Sequence, residues 1–311
     1  MNTELRVVPE SLTDSQTVAA AATSRTRPLF WSVRRELWEN RSIWIAPLIT
    51  AGVILFGFAI AAIDFPQRRR ATLLLDPALQ PARIQLPYDV AMYMIMLTAL
   101  LLWLFYCLDA LYGERRDRSI LFWKSLPVSD LTTVLSKVTI PLVVLPLVAF
   151  VVTVATQAAL LLISNLVLGM SGLSPATEAQ LPLLRSWSSL LYAWIAMTVW
   201  DAPFYGWLLL VSASARRAPI LWAVVPLVAI AAIERIVFQT NYFVSFLEYR
   251  SVGWAAAAFA SQPHQYLRMI DLLSPLTPGR FLMNPDLWIG LLVTAGFLAA
   301  AVRLRRYRAP L

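Results

Sequence analysis

The sequence predicts an all-α, polytopic integral membrane protein with six transmembrane helices. Three observations predict it. Hydrophobic residues make up 59% of the 311 and charged residues only 14%, too apolar for a soluble globular domain and right for a chain with several spans. Six apolar runs can each cross, or nearly cross, a bilayer. The cations that separate them sit at the ends of those runs, and tryptophans such as Trp44, Trp187 and Trp288 mark run edges, as membrane interfaces favour. The net charge is +8 and arginine supplies 24 of the 26 cations. Because they form no single stripe, the excess argues against a nucleic-acid partner.

Residues 1–27 are polar and mixed in charge, and Val18–Ala22 is too short for the apolar core of a signal peptide. They read as a disordered tail. From Pro28 to Arg41 the pattern places Phe30, Val33 and Leu37 on one helical face, with Trp31 and Trp38 on its flanks. Such a basic amphipathic helix lies flat in the interface; a soluble extension of the first span is the alternative. The six spans are 43–63, 90–112, 138–163, 188–211, 218–238 and 287–302. The first holds 21 residues without a charge, about 31 Å at helical rise. Residues 64–89 form a polar connector with Arg68–Arg70, 164–187 a loop, and 241–286 a long segment broken by prolines. Gly113 ends the second span. The sixth is closed by RLRRYR at 303–308.

Basic residues set the orientation. With both ends inside, inner segments hold 17 Lys or Arg and outer ones 9, which favours cytoplasmic termini. Arg68–Arg70 runs against that count.

Chemistry is sparse. The only histidine is His264 and the only cysteine is Cys107, which leaves no His/Cys metal set and no disulfide framework. There is no G-x-S-x-G, no H-E-x-x-H and no G-x-x-x-x-G-K-[ST], so no nucleotide is expected on a P-loop of this chain. Two acids lie inside apolar runs. Asp201, near mid-span, is a candidate translocation-path residue, relaying a proton or cation or contacting substrate. Alternatively it caps backbone freed by the Pro203 kink. Asp109 is read as pairing with Arg115, Arg116 or another nearby cation.

The most charge-dense segment between two apolar runs is 113–137, GERRDRSILFWKSLPVSDLTTVLSK. Charges of alternating sign lead into an apolar piece too short to cross. Pro127 ends that piece, and Ser129 or Asp130 caps a second helix reaching Lys137. An exposed short helix rich in arginine and aromatics suits a protein interface; an interfacial helix touching only lipid headgroups is the other reading.

The stretch 113–130 resembles the first cytoplasmic loop of bacterial ABC-2 type transporter permeases. RRELWENRSIW at 34–44, APFYGWLLLVSASARRAP at 202–219 and LWIGLLVTAGFLAAAVRLRRYR at 287–308 resemble one subgroup of that family, in the expected order. Asp201 departs from the pattern. The resemblance implies a domain over 28–311 in the bacterial inner membrane. It implies a second permease subunit, identical or not, and separate ATPase subunits that bind ATP and Mg, with no cofactor in this chain. It implies that 28–41 is the interfacial connecting helix. It also implies a cytoplasmic coupling helix between spans 2 and 3, using Glu114, Arg115, Arg116, Asp117, Arg118, Phe122, Trp123 and Lys124 against the ATPase. The segment 264–285 would supply short outer helices that dip back into the membrane. Export is the usual direction. An ion-coupled transporter using Asp201, or a membrane scaffold, is the alternative.

Overall fold

A computed structural model describes residues 28–119, 128–175, 181–259 and 275–307. The expected tail 1–27, the coupling residues Phe122, Trp123 and Lys124, and the first half of the expected outer helices at 264–285 lie outside the described residues.

The described chain is helical throughout, with one isolated bridge between Phe259 and Leu276. In order, the helices are α1 (Pro28–Glu39), α2 (Ser42–Ala61), α3 (Phe65–Leu73), α4 (Gln80–Asp109), α5 (Tyr112–Arg116), α6 (Asp130–Thr139), α7 (Leu145–Met170), α8 (Leu183–Trp200), α9 (Ala202–Ser214), α10 (Pro219–Ile233), α11 (Tyr242–Ala258), α12 (Pro278–Leu282) and α13 (Pro285–Tyr307). Five stretches are long and apolar enough to cross a membrane: Ser42–Ala61, Gln80–Arg116, Asp130–Met170, Pro219–Phe238 and Pro285–Tyr307. The pair α8 and α9, bent by 51° at its break, makes a sixth if it counts as one span.

Several boundaries differ from the sequence reading, each for a local reason. The connector 64–89 is largely helical: Pro66 suits the first turn of α3 and Pro81 the first turn of α4, where a missing N–H is harmless. Pro87 sits inside α4, which therefore begins ten residues before the expected Val90. Gly113 does not end the second span. The helix breaks earlier, at Ala110–Leu111, because the Ser212 hydroxyl of α9 accepts from the Leu111 and Tyr112 amides at 3.0 and 2.9 Å and starts α5 there. The third span carries a π-helical turn at Ile140–Val144, where Pro141 removes a helical donor. It then runs on to Met170, into the expected loop. The long segment after the fifth span opens with α11.

Packing is tightest between α9 and α13. A Cβ on Gly206 would lie 3.1 Å from Phe297 and 3.4 Å from the Thr294 Cα, so the two backbones approach as small residues allow in membrane helices. Three apolar clusters follow along the bundle. One, around Leu111, Ile140, Leu209 and Ala301, lies at the end that holds α1 and α5. A middle one surrounds Trp200, and the third gathers Tyr88, Ala91 and Leu160 at the far end. The outer faces of α2 and α10 expose Ile49, Val53, Phe56, Leu221, Trp222 and Val225, apolar surface of the kind lipid covers.

The first helix divides the expected apolar face between the bundle and the outside. α1 turns Ser32 and Glu36 into the bundle, while Phe30, Trp31 and Trp38 are exposed. Its protein-facing edge joins these two polar residues to Val33 and Leu37, half-buried against the core, and its outward face is aromatic.

Candidate functional site

Ser32 and Glu36 are one helical turn apart, so they share a face of α1. That face meets α6. On α6, the Ser129 hydroxyl accepts from the Thr132 amide at 3.1 Å and starts the helix. Asp130, Thr133 and Lys137 then fall along one stripe, spaced three and four residues apart, with Thr133 and Lys137 buried. The stripe faces α1 on one side and α13 on the other.

The result is a buried ionic cluster. Lys137 Nζ lies 2.9 Å from Glu36 Oε1 and 3.1 Å from Glu114 Oε1. Arg35 Nη2 reaches the same two oxygens at 2.8 and 3.5 Å. Arg305, in the last turns of α13, pairs with Glu114 Oε2 and donates from Nε to Asp130 at 3.1 Å. The Tyr106 hydroxyl of α4 donates to Glu36 Oε2 at 3.1 Å. Three acids (Glu36, Glu114, Asp130) thus face three bases (Arg35, Lys137, Arg305), with a fourth acid, the half-exposed Glu39, at the rim 3.6 Å from Arg35. The buried members, Glu36 and Glu114 against Lys137 and Arg305, balance. The Glu36, Lys137 and Arg305 side chains are 1, 3 and 4% exposed. A buried charge without a partner is strongly unfavourable, so this neutral balance is what lets the group exist inside the protein. Burial pushes the Glu36 carboxyl up; Lys137 and Arg35, by charge and hydrogen bond, outweigh it and hold the group below its ordinary value.

The cluster ties α1, α5, α6 and α13 together at one point. α5 is also clamped to α9, by the two amides on Ser212 and by the Arg115 guanidinium, which donates to the Ala213 carbonyl. The chain then leaves α5 through Arg118, whose φ of 58° is left-handed and turns it sharply. Of the sequence-predicted contact residues, Glu114 and Arg115 are therefore inside the bundle. Arg116, Asp117 and Arg118 are exposed, with Arg116 3.0 Å from Asp117 and 4.0 Å from Asp109. Among the described residues no group of three His, Cys, Asp or Glu could hold a metal ion.

Asp201 belongs to a second place, the break between α8 and α9. Its side chain makes no capping hydrogen bond there, and its Oδ1 is enclosed with no hydrogen-bond partner among the described residues. The carbonyl opened by the bend, that of Trp200, is instead filled by the Arg250 guanidinium of α11. Arg250 also donates to the Asp286 carbonyl at 3.0 Å and stacks 4.7 Å from the Trp200 ring centre. The indole of Trp200 donates back to the Arg250 carbonyl at 2.9 Å. Asp201 borders a shallow groove of about 550 Å³ between α4, α9 and α11, otherwise mostly apolar.

No family model, curated protein or solved structure matches the chain. Function must be argued from these residues.

Sequence reasoning missed Glu36, Lys137, Arg305 and Arg250 as site residues. Glu36 and Lys137 carried a readable signal, since each lies four residues after a small hydroxyl residue, Ser32 or Thr133, on a face that composition alone assigned to water. Arg305 and Arg250 carried none, because their partners are distant in the chain.

Proposed function

We propose that this chain is the membrane-spanning subunit of an ATP-driven transporter of the ABC-2 type, an exporter in a bacterial inner membrane with both termini in the cytoplasm. Two such subunits pair, and separate ATPase subunits dock on the segment 113–127. The observation that carries the reading is the ionic cluster beside that segment. The chain enters the segment from α5 and leaves it into α6, and both helices are fastened to α1 and α13 through buried charges. A push on the segment is therefore delivered to the ends of several helices at once.

The steps follow from that linkage. ATP closes the partner ATPases; the docked segments move with them; the clamped helices carry the motion into the spans, which shift as rigid bodies. A cavity between the two subunits then opens or narrows around substrate. The interface must differ between the two states by several kcal/mol, since a partner shifts an equilibrium only by its differential affinity. Arg116, Asp117 and Arg118, exposed at the start of the segment, are the described residues that reach the ATPase. Phe122, Trp123 and Lys124 complete the contact. Arg115 and Glu114 hold the platform.

Affinity purification in mild detergent tests this. A nucleotide-hydrolysing subunit should accompany the wild-type chain and be lost from Arg116→Glu/Arg118→Glu, with the variant still in the membrane. Purification without any ATPase, from cells in which the chain is active, sinks the proposal. The enclosed Asp201 oxygen favours a second reading, an ion-coupled transporter in which that carboxylate takes the coupling ion and no ATPase is needed.

A further inference from the structure

The basic triplet Arg68–Arg70 is the feature that the transport reading does not use. α3 carries two of its members over the mouth of a groove of about 570 Å³ between α2, α4 and α7, and Arg83 of α4 joins them. Counting residues along α2 and α4, this groove lies at the opposite end of the bundle from the ionic cluster, about 30 Å away. Its walls are apolar, with Phe58 and Leu161 at depth and Val53 and Leu86 exposed at the side. It is thus open laterally, toward the region where acyl chains lie. A hydrogen bond from the Tyr88 hydroxyl to Ser164 at 3.3 Å marks its inner wall.

Charge at the mouth is one-sided. Among the described residues Arg68 and Arg83 make no ion pair, and none of the acids of that connector, Asp64, Asp76 and Asp89, lines the groove. Arginine is the side chain best suited to phosphate oxygens, and basic recesses between membrane helices suit acidic lipid headgroups. A cationic mouth above an apolar, laterally open trough fits a molecule with an anionic phosphate head and a hydrocarbon tail. We propose that this groove holds one anionic phospholipid, its phosphate under Arg68, Arg69 and Arg83 and an acyl chain along α2 and α7. The site is independent of the transport reading, because it needs neither nucleotide nor partner.

Native mass spectrometry of the purified full-length chain, titrated with phosphatidylglycerol, phosphatidylcholine or inorganic phosphate, tests the proposal. One phosphatidylglycerol should be retained in preference to phosphatidylcholine. Arg68→Gln/Arg83→Gln, which alters only exposed side chains, should weaken that retention on the order of 30-fold. Gly57→Leu is an independent probe: Gly57 lines the groove and a Cβ there meets nothing within 4 Å, so the larger side chain should fill the trough, leave the elution profile unchanged and expel the lipid. Equal retention of the two lipids overturns the proposal, as does full retention by either variant. Displacement of phosphatidylglycerol by inorganic phosphate at equal concentration would assign the arginines to a free anion and overturn it as well.

Discussion

Lys137→Met removes the cation at the middle of the ionic cluster while keeping the length of its side chain. Glu36 Oε1 and Glu114 Oε1 both lie against Lys137 Nζ, at 2.9 and 3.1 Å. Without it they face each other at no more than about 6 Å, where two like charges repel by about 3 kcal/mol at an effective dielectric constant of 20. Arg35 still touches both oxygens and Arg305 still holds Glu114, so part of the charge stays compensated. Breaking one partner of a buried network costs about 3–5 kcal/mol, and the calculated repulsion falls at the lower edge of that range. In thermal unfolding of the detergent-purified chain this corresponds to a midpoint lowered by about 6–10 °C. Glu36→Gln/Lys137→Met removes one charge of each sign and should recover a sizeable part of the loss, with a coupling of about 1–3 kcal/mol. A midpoint for Lys137→Met within about 1 °C of wild type, or no recovery in the double variant, would refute the reasoning that a buried, neutral charge set holds these helices together.

Other outcomes follow from the same geometry. Because the Glu36 carboxyl is held below its ordinary value of 4.5, its contribution is fully present above that pH and is lost as pH falls through the lower folded value. In Lys137→Met the main cation holding that carboxyl down is gone while its burial and the facing Glu114 remain, so protonation relieves the variant as pH falls. The stability gap between wild type and Lys137→Met should therefore be widest near neutral pH and shrink steadily in acid; a gap that widens in acid contradicts the assignment. Gly290→Ala puts a methyl group into the Arg250 guanidinium and should lower the midpoint by about 4–8 °C as the charged bond to the Trp200 carbonyl is lost. Gly296→Ala, whose Cβ meets nothing within 4 Å, should leave it unchanged. Cys107 is fully buried, so Asp117→Cys and Leu74→Cys can be labelled against a silent background. A membrane-impermeant maleimide should react with the Leu74→Cys chain in intact cells and with the Asp117→Cys chain only in inverted vesicles; the reverse pattern removes the cytoplasmic docking site. On the proposed ATP-driven reading, Asp201→Asn should leave transport close to wild type, since the enclosed Oδ1 it alters holds no hydrogen bond among the described residues, and a complete loss with an intact fold would favour the ion-coupled reading.

The membrane-spanning character was legible because it depends on composition over some twenty residues, which no tertiary contact can overturn. Proline positions were legible as features and misread as boundaries. The connector expected at 64–89 holds four prolines, yet Pro81 sits in a first turn and Pro87 is carried within a long helix. The break at Ala110–Leu111 depends on Ser212, a hundred residues away, and no local signal marks it. The charged run 113–118 was recognised as special, but its division into an inward pair and an outward triplet was not. A five-residue helix has no periodicity long enough to show which side faces the bundle, and Glu114 is drawn in by Lys137 and Arg305. α1 was legible as a helix with an apolar face, but not in how that face divides: Val33 and Leu37 pack against the bundle while Phe30 turns outward with Trp31 and Trp38, and the inward turn of Glu36 depends on Lys137, a hundred residues away.

The arginine plugged into the elbow of α8 and α9 makes the elbow's angle and the seat of α11 a single variable. To straighten the pair, the Trp200 carbonyl must regain a helical amide, and the guanidinium now occupying it must withdraw, pulling its own helix and its hold on Asp286 along. Any change in the elbow is thus felt as a shift of α11 against the start of α13.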